Sequence, residues 1–359
     1  MVHNSGIGTY IRGLNEAIIH GHPPGSRPDF LYLGDPRLLT DYEYFRSGGE
    51  IVPALMPIYS LREQLFFPQP AGAAFFHFPH YNVPRRLARP YMVTIHDLVH
   101  QKFPEVLDSR VKWAVSRAML RHAARHALVI ITASGSSRRD IADYCGVTES
   151  SIRIIYHAVA PSFRQVSLED AESFRQDMRL PKRYLLAVGI NKPHKNFPFL
   201  IEAFIDWTRR NGGGIDLVIS GMNESDRQLL GRFIMERGCA DRVHLIPYVT
   251  CGKLSALYQA AEALVYPSLC EGFGIPIIEA QRVGTPVISS NTSSMPEVAG
   301  DGALYFNPRS KTEFHARLDE FFGDESARSG LVRRGYENEK RFCWGTAAAL
   351  TLREYQRFL

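Results

Sequence analysis

Along almost the whole chain, short unbroken apolar runs alternate with longer stretches of helical period. The short runs read as strands: Phe30–Leu33, Ile51–Pro53, Ala74–His77, Tyr91–Ile95, Ala127–Thr132 and Ile152–Tyr156. The periodic stretches read as helices. Tyr10–His20, Leu61–Phe67, the basic run after Asp97 and Ser136–Cys145 are of this kind. From about Ala160 to Lys182 the chain is polar and irregular with one helical patch, which predicts a domain junction. The alternation then restarts. Strands are predicted at Tyr184–Gly189, Ile215–Ser220, Val243–Ile246, in a run ending at Tyr266, and at Thr285–Ser289. Helices are predicted at Phe199–Arg209, Ser225–Arg237, Lys253–Ala261, Pro276–Val283, Thr312–Phe322, Ser326–Arg341 and Trp344–Leu359. Strand–helix alternation implies parallel sheets covered on both faces. Two such sets predict an α/β chain with two Rossmann-like domains, residues 1–162 and 163–343, facing each other across a cleft. Ligands of such sheets bind beyond the carboxyl ends of the strands.

Tyr266–Glu297 is the richest stretch. Glu271-Gly272-Phe273-Gly274 is a loop after a strand, and its glycines allow a tight turn and close approach to a ligand. Pro276 suits the first turn of a helix, and Gly284 its C-terminal cap. A glycine loop entering a helix leaves N–H groups and the positive end of the helix dipole for an anion. Glu271 sits in the loop. Glu279 lies one turn into the helix, where its carboxylate can accept from hydroxyls such as those of a ribose. Spacing alone leaves a second reading open, a strand–loop–helix unit with two solvated acids. Ser294-Met295-Pro296-Glu297 reads as a further helix start with a capping serine. Near the beginning of the chain, Ser5-Gly6-Ile7-Gly8-Thr9 reads as a glycine-rich turn.

Charge adds one feature. The net +5 is uneven, for no acid falls between Asp108 and Asp140. Arg110, Arg117, Arg121 and Arg125 share one helical face there, and Val111, Val115, Ala118 and Met119 line another. The 110–139 region is either a solvated helix face or a peripheral contact to an anionic membrane. Nucleic acid is excluded by the lack of interleaved aromatics and of any recognisable module. The five cysteines are scattered without metal-ligand spacing, which suits reduced thiols of the cytoplasm. His77 and His80 lack further ligands and read as structural. No apolar run reaches the roughly 18–20 residues of a membrane span, so any membrane contact is peripheral.

Other candidates lie at strand ends. Lys195, with Lys192, follows a strand and Gly189 in a loop near the opening of the same sheet, where lysine would neutralise phosphate. On position alone, either reads first as a surface lysine. His96 ends the strand Tyr91–Ile95, as a substrate contact or as a structural partner of Asp97. No phosphate-binding P-loop, no GxGxxG after a strand and no GxSxG elbow occur. Asp-x-Asp is also absent, so phosphates would be held by lysine and backbone N–H groups rather than through a metal.

These residues carry a resemblance. The pair Glu271 and Glu279 within EGFGIPIIE resembles the paired-glutamate motif of retaining GT-B glycosyltransferases of family 4. SGIGTY, TIHDL at 94–98, TASGSSRRDI at 132–141, VGINKPHKNFPFLIEAF at 188–204, SSMPEVAG and FCWGTAAALTLREY extend the likeness over nearly the whole chain. TIHDL and PHKN look most like the mannosyltransferase B-like branch. The resemblance implies that 1–162, with a terminal helix 344–359 crossing back to it, is the acceptor domain, and that 163–343 is the donor domain. It implies catalytic roles for His96, Glu271 and Lys195. Gly6, Lys192, Lys195, Gly272, Phe273, Gly274, Ile275 and Glu279 would bind the donor. The implied reaction moves mannose from GDP-mannose, with retention and with no metal or other cofactor, to a glycan or polyprenyl-diphosphate-linked acceptor of a bacterial surface polysaccharide. A UDP-sugar donor, or a non-catalytic subunit that binds a nucleotide sugar, are the alternatives. The family carries a strand before the GIGTY turn. Here only Met1–Asn4 precede it, so exposed sheet edges and a weakened first domain are expected.

Overall fold

The computed structural model describes residues 5–23, 25–107 and 109–359. Residues Met1–Ala160 with Phe342–Leu359 form one compact unit, and Pro161–Arg341 form the other. The start of the polar stretch is thus the boundary. Its helical patch, Leu168–Asp177, belongs to the second unit.

The first unit opens with helix α1 (Ser5–Gly21), which runs straight through the predicted glycine turn. Each glycine inside a helix costs about 1 kcal/mol. Burial outweighs that here, because Tyr10, Leu14 and Ile18 repeat at helical spacing and are all buried. Gly13 faces Trp344 so closely that a Cβ would overlap the indole. Strands β1 (Phe30–Gly34) and β2 (Gly49–Pro53) pair in parallel as a sheet of their own. A second parallel sheet contains, in order, β3 (Phe76–Phe78), β4 (Tyr91–Thr94), β5 (Val129–Thr132) and β6 (Ile152–Ile154). Helices α2 (Arg110–His126) and α3 (Gly135–Cys145) connect β4 to β5 and β5 to β6. The terminal helix Trp344–Gln356 buries Trp344, Ala348, Leu352 and Tyr355 in this unit, and Tyr355 Oη meets His77 Nδ1 at 2.6 Å.

Helix α2 is buried over only part of its length. Met119, Leu120, Ala123 and Ala124 are buried, but Val111 and Val115 are 72% and 51% exposed. Only the second half of the helix packs on the sheet, so the valines of the first turns have nothing to cover them. Its arginines are less free than their number suggests. Arg121 and Arg125 donate to the Tyr144 and Cys145 carbonyls at the end of α3, at 3.3 and 2.8 Å. Arg117 and Arg121 both lie over the Tyr144 ring, and Arg138 pairs with Glu149.

The second unit is a six-stranded parallel sheet. Its strands are β7 (Tyr184–Val188), β8 (Asp216–Met222), β9 (Val243–Pro247), β10 (Ala263–Tyr266), β11 (Val287–Ser290) and β12 (Ala303–Phe306), in the order β12-β11-β10-β7-β8-β9. The sequence pattern misses β12, a short edge strand between two helix starts. Helices α4 (Phe197–Arg210), α5 (Cys251–Gln259) and α6 (Ile275–Val283) flank the strands. The central strands β7 and β10 are buried on both faces. No helix among the described residues is long and apolar enough to cross a membrane.

Candidate functional site

β7 and β10 are neighbours at the middle of the sheet, and from that pair the strand order runs outward in opposite directions. The loops after these strands therefore diverge at their carboxyl ends, the switch point where such sheets bind ligands. Lys195 follows β7 and Glu271 follows β10. The two loops are tied together: the Leu269 amide donates to the His194 carbonyl at 2.7 Å, and Asn196 Nδ2 donates to the Pro267 and Pro308 carbonyls. Asn196 manages this at φ 59°, in the left-handed region.

The structure joins two residues that the sequence assigned to separate jobs. Lys195 Nζ lies 2.7 Å from Glu271 Oε1 and donates to Tyr266 Oη at 3.1 Å, with both charged side chains 13% exposed. Gly189 makes room, since a Cβ there would come within 3.2 Å of the lysine chain. Burial pulls the Lys195 ammonium down, but the Glu271 carboxylate and Tyr266 outweigh it and hold its pKa above the usual range. Burial likewise pushes Glu271 up, and the charge of Lys195, then His194, brings it below the ordinary carboxylate value. An ammonium has three donors, so with Glu271 and Tyr266 as partners one N–H of Lys195 remains for a ligand.

The turn after Glu271 enters α6 at Gly274, whose φ of 110° suits glycine and which caps the helix without a side chain. The helix N-terminus thus keeps its positive end for an anion. Gly272, Phe273 and Ile275 belong to the same turn, and of its two glycines only Gly274 uses a positive φ. The turn is braced from behind by two serines. Ser294 stands where expected, at the start of the short helix Met295–Ala299, but its side chain caps no helix N–H. Its hydroxyl donates to the Phe273 and Glu271 carbonyls at 2.8 and 3.1 Å. Ser293 Oγ accepts from the Glu271 amide and donates to its carbonyl. The run of polar residues after β11 was the available signal.

Glu279 lies in α6 with its Oε2 accepting from Tyr258 Oη at 2.8 Å. Burial raises its pKa to about 7, against the lowering effect of the tyrosine. The folded value exceeds the ordinary 4.5, so this group favours the folded chain at acid pH, and that contribution is lost as pH rises from 4.5 through 7. Glu279→Gln is therefore expected to raise the unliganded protein's stability by about 2 kcal/mol at pH 8 and to change it little at pH 5. Calorimetric melting at the two values checks this, and equal shifts at both would refute the buried-acid assignment.

Lys192 precedes the turn that contains Lys195 and is half-buried, with no carboxylate partner among the described residues. Gly6 and His96 belong to the first unit. Gly6 is exposed in the first turn of α1 with open space beside it. His96 donates through Nε2 to the Pro79 carbonyl at 3.0 Å and packs edge-on against the rings of Tyr10 and His157. Burial lowers its pKa against the pull of Asp97 and of the Pro79 carbonyl. With Nε2 donating to that carbonyl, the neutral ring leaves Nδ1 as an acceptor. Asp97 is not its hydrogen-bond partner; it accepts from the Val99 amide instead. His77 bonds Thr94 and Tyr355, and no cluster of three potential metal ligands occurs among the described residues.

Known proteins supply the comparison. A family model described as Glycosyl transferases group 1 matches residues 169–338, and one described as Glycosyltransferase Family 4 matches residues 64–163. The chain is 30% identical over 286 residues to the O-antigen chain mannosyltransferase B of Escherichia coli, covering 78% of this chain and 74% of that protein. It is 31% identical over 239 residues to the O-antigen chain mannosyltransferase RfbU of Salmonella typhimurium, covering 67% of this chain and 62% of that one. Among solved structures, sucrose-phosphate synthase from Thermosynechococcus elongatus matches with a TM-score of 0.75 at 19% identity, over 98% of this chain and 93% of that chain. Anabaena HepE in complex with UDP and glucose matches with a TM-score of 0.73 at 15% identity, over 98% and 96%. At such identities these structures speak for the fold alone.

Proposed function

The chain belongs to the group 1 glycosyltransferases of family 4, enzymes of GT-B fold, and from that premise we propose that it transfers mannose from GDP-mannose to a glycan or polyprenyl-diphosphate-linked acceptor, with retention and without a metal ion. The mannosyl donor and the surface-polysaccharide setting are supported by the relatives, which are O-antigen mannosyltransferases. The observation that carries the reading is the Lys195–Glu271 pair at the switch point, set against the uncapped start of α6 with Glu279 one turn behind.

In this reading the bond between the anomeric carbon and the leaving phosphate oxygen breaks. The acceptor oxygen bonds to that carbon on the same face, and its proton passes to the leaving phosphate. Negative charge grows on the diphosphate, and the remaining N–H of Lys195, with the helix start at Gly274 and Ile275, meets it. Preorganised donors of this kind are usually the largest contribution to such catalysis. Glu271, fixed by Lys195 and Ser293, faces the transferred sugar. Glu279 accepts from ribose hydroxyls more strongly as a carboxylate than as a neutral acid, so donor affinity should strengthen as pH rises through about 7. His96, Gly6, Lys192, Gly272 and Phe273 keep the donor-side roles that the family resemblance implies.

The deciding experiment is a thermal-shift screen of nucleotide sugars followed by turnover, with and without EDTA, on the best binder. GDP-mannose is expected to stabilise most, and EDTA to leave turnover unchanged. A UDP-sugar ranking first would favour the second reading, transfer from a UDP-sugar. Loss of turnover in EDTA would overturn metal independence.

Peripheral membrane contact through the 110–139 region belongs to the same proposal. It is supported by the exposed valines Val111 and Val115 beside Arg110 and Lys112 at the start of α2. Val111→Asp with Val115→Asp is expected to cut sedimentation with vesicles containing phosphatidylglycerol at least tenfold, because each buried apolar side chain contributes about 1.5–3 kcal/mol. Equal sedimentation would remove α2 as the contact.

A further inference from the structure

Three tyrosines of the second unit are almost wholly buried, Tyr184, Tyr258 and Tyr266. A buried hydroxyl needs a partner, and phenylalanine would fill the same space without needing one. Tyr184 spends its hydroxyl on a backbone carbonyl, that of Leu257, at 2.7 Å. The other two hydroxyls go to the site. Tyr258, near the end of α5, donates through Oη to Glu279 Oε2 at 2.8 Å. Tyr266, the last residue of β10, accepts from Lys195 Nζ at 3.1 Å and donates to the Glu271 carboxylate. Each of the two acids thus rests on its own phenol. Tyr258 is 0% exposed and Tyr266 2%, so each acts on a donor only through the side chains it holds.

A phenol suits this task. A glutamate turns about three side-chain bonds, whereas a tyrosine ring turns about two and is locked once packed. The Tyr258 ring meets Phe163 edge-on at 5.6 Å, and its carbonyl accepts from Thr285 Oγ1 at 2.8 Å. Its hydroxyl takes one oxygen of Glu279, and the other, Oε1, has no partner among the described residues. No charged side chain from the elements packed on α6 acts on Glu279, among the described residues. The Tyr266 ring lies beneath the Lys195 ammonium, 5.0 Å from its centroid. A Cβ on Gly274 would sit 3.7 Å from Tyr266 Cε1. One ring therefore touches the lysine, the first acid and the start of α6.

We propose that Tyr258 and Tyr266 are positioning residues for the paired acids and divide their work, Tyr258 setting the hold on the donor and Tyr266 the aim of Lys195 during transfer. The inference rests on the donor-site reading above. Tyr258 favours the carboxylate form of Glu279, so it also sets the pH at which that acid accepts strongly. Tyr266 occupies one N–H of Lys195 and Glu271 another, which directs the third.

Tyr258→Phe and Tyr266→Phe keep both rings and remove one oxygen each. Calorimetric titration with GDP from pH 6 to 9 and initial rates with GDP-mannose test them, with Tyr184→Phe, Glu279→Ala and Lys195→Ala alongside. Tyr258→Phe is expected to weaken GDP binding about fivefold at pH 7 and to move the pH midpoint of affinity up by about one unit relative to the parent, so that the loss shrinks toward pH 9. Tyr266→Phe is expected to lower kcat about tenfold, to change GDP affinity less than about threefold and to leave the midpoint in place. Tyr184→Phe, which loses a bond to a carbonyl, is expected to lower Tm alone. A parent-like midpoint in Tyr258→Phe, or equal losses of kcat and affinity in Tyr266→Phe, would overturn the proposal. If Glu279→Ala and Lys195→Ala bind GDP as the parent does, the donor-site reading itself has failed, and the proposal falls with it.

Discussion

Replacing Lys195 by alanine is expected to weaken GDP binding by about 10- to 100-fold, the worth of one charge-assisted hydrogen bond. Turnover should fall further, by about 100- to 1000-fold, because the same group meets the charge that develops on the leaving phosphate. Titration calorimetry and initial rates check the two, and unchanged GDP affinity would remove Lys195 from the site. The variant should also be less stable by about 3 kcal/mol, since it leaves the Glu271 carboxylate buried with no cation. The pH dependence gives a second readout. In the parent chain Glu271 lies below its usual pKa and Lys195 above. Their contribution is therefore present between the two usual values, 4.5 and 10.5, and is lost as pH falls through the folded value of the acid or rises through that of the lysine. Without Lys195, burial alone acts on Glu271, and its pKa should rise. The variant should then gain more stability on acidification than the parent, in which Glu279 alone of these acids contributes in that direction. Lys195→Ala combined with Glu271→Gln should recover part of the lost stability and none of the lost turnover, which separates the structural from the chemical part.

Gly13→Ala is expected to destabilise the first unit by about 1–3 kcal/mol, a fall of several degrees in Tm. The added methyl would overlap the Trp344 indole, which is buried between α1 and the terminal helix. Neither helix yields cheaply, since the α1 stripe of Tyr10, Leu14 and Ile18 and the facing residues Ala348 and Leu352 are all buried. Calorimetry of a double-mutant cycle with Trp344→Ala gives the sharper result. In that background the methyl enters a cavity, so the cost of Gly13→Ala should largely vanish. A cost independent of Trp344 would mean that the glycine serves helix geometry and not the close approach.

Most of the architecture was legible, because central parallel strands such as Tyr184–Val188 and Val287–Ser290 are buried on both faces and show as unbroken apolar runs. β12 escaped because an edge strand of four residues carries little pattern. The turn read at Ser5–Thr9 failed for a tertiary reason, since glycine propensity is local and the Gly13–Trp344 contact is not. Val111 and Val115 do share a face, as periodicity finds, but periodicity does not say whether anything packs on it. At the site, Glu271, Glu279 and the glycine turn could be located from spacing and resemblance. The Lys195–Glu271 bond could not, because its partners stand 76 positions apart and meet only through the adjacency of β7 and β10. The serine braces Ser293 and Ser294 were invisible for the opposite reason. They hold carbonyls, and a sequence does not show where a carbonyl points.

The division of the chain also sets an order of birth. The second unit is one unbroken stretch, whereas the first is completed by Phe342–Leu359, made after all of it. At about 5–20 residues per second, ribosomal synthesis leaves the first unit waiting roughly ten to forty seconds for its last helix. Over that interval Gly13 and Tyr10 of α1 face no Trp344, and His77 has no Tyr355. The unit made first is therefore finished last, and its unfinished apolar face is where chaperones would meet the nascent chain.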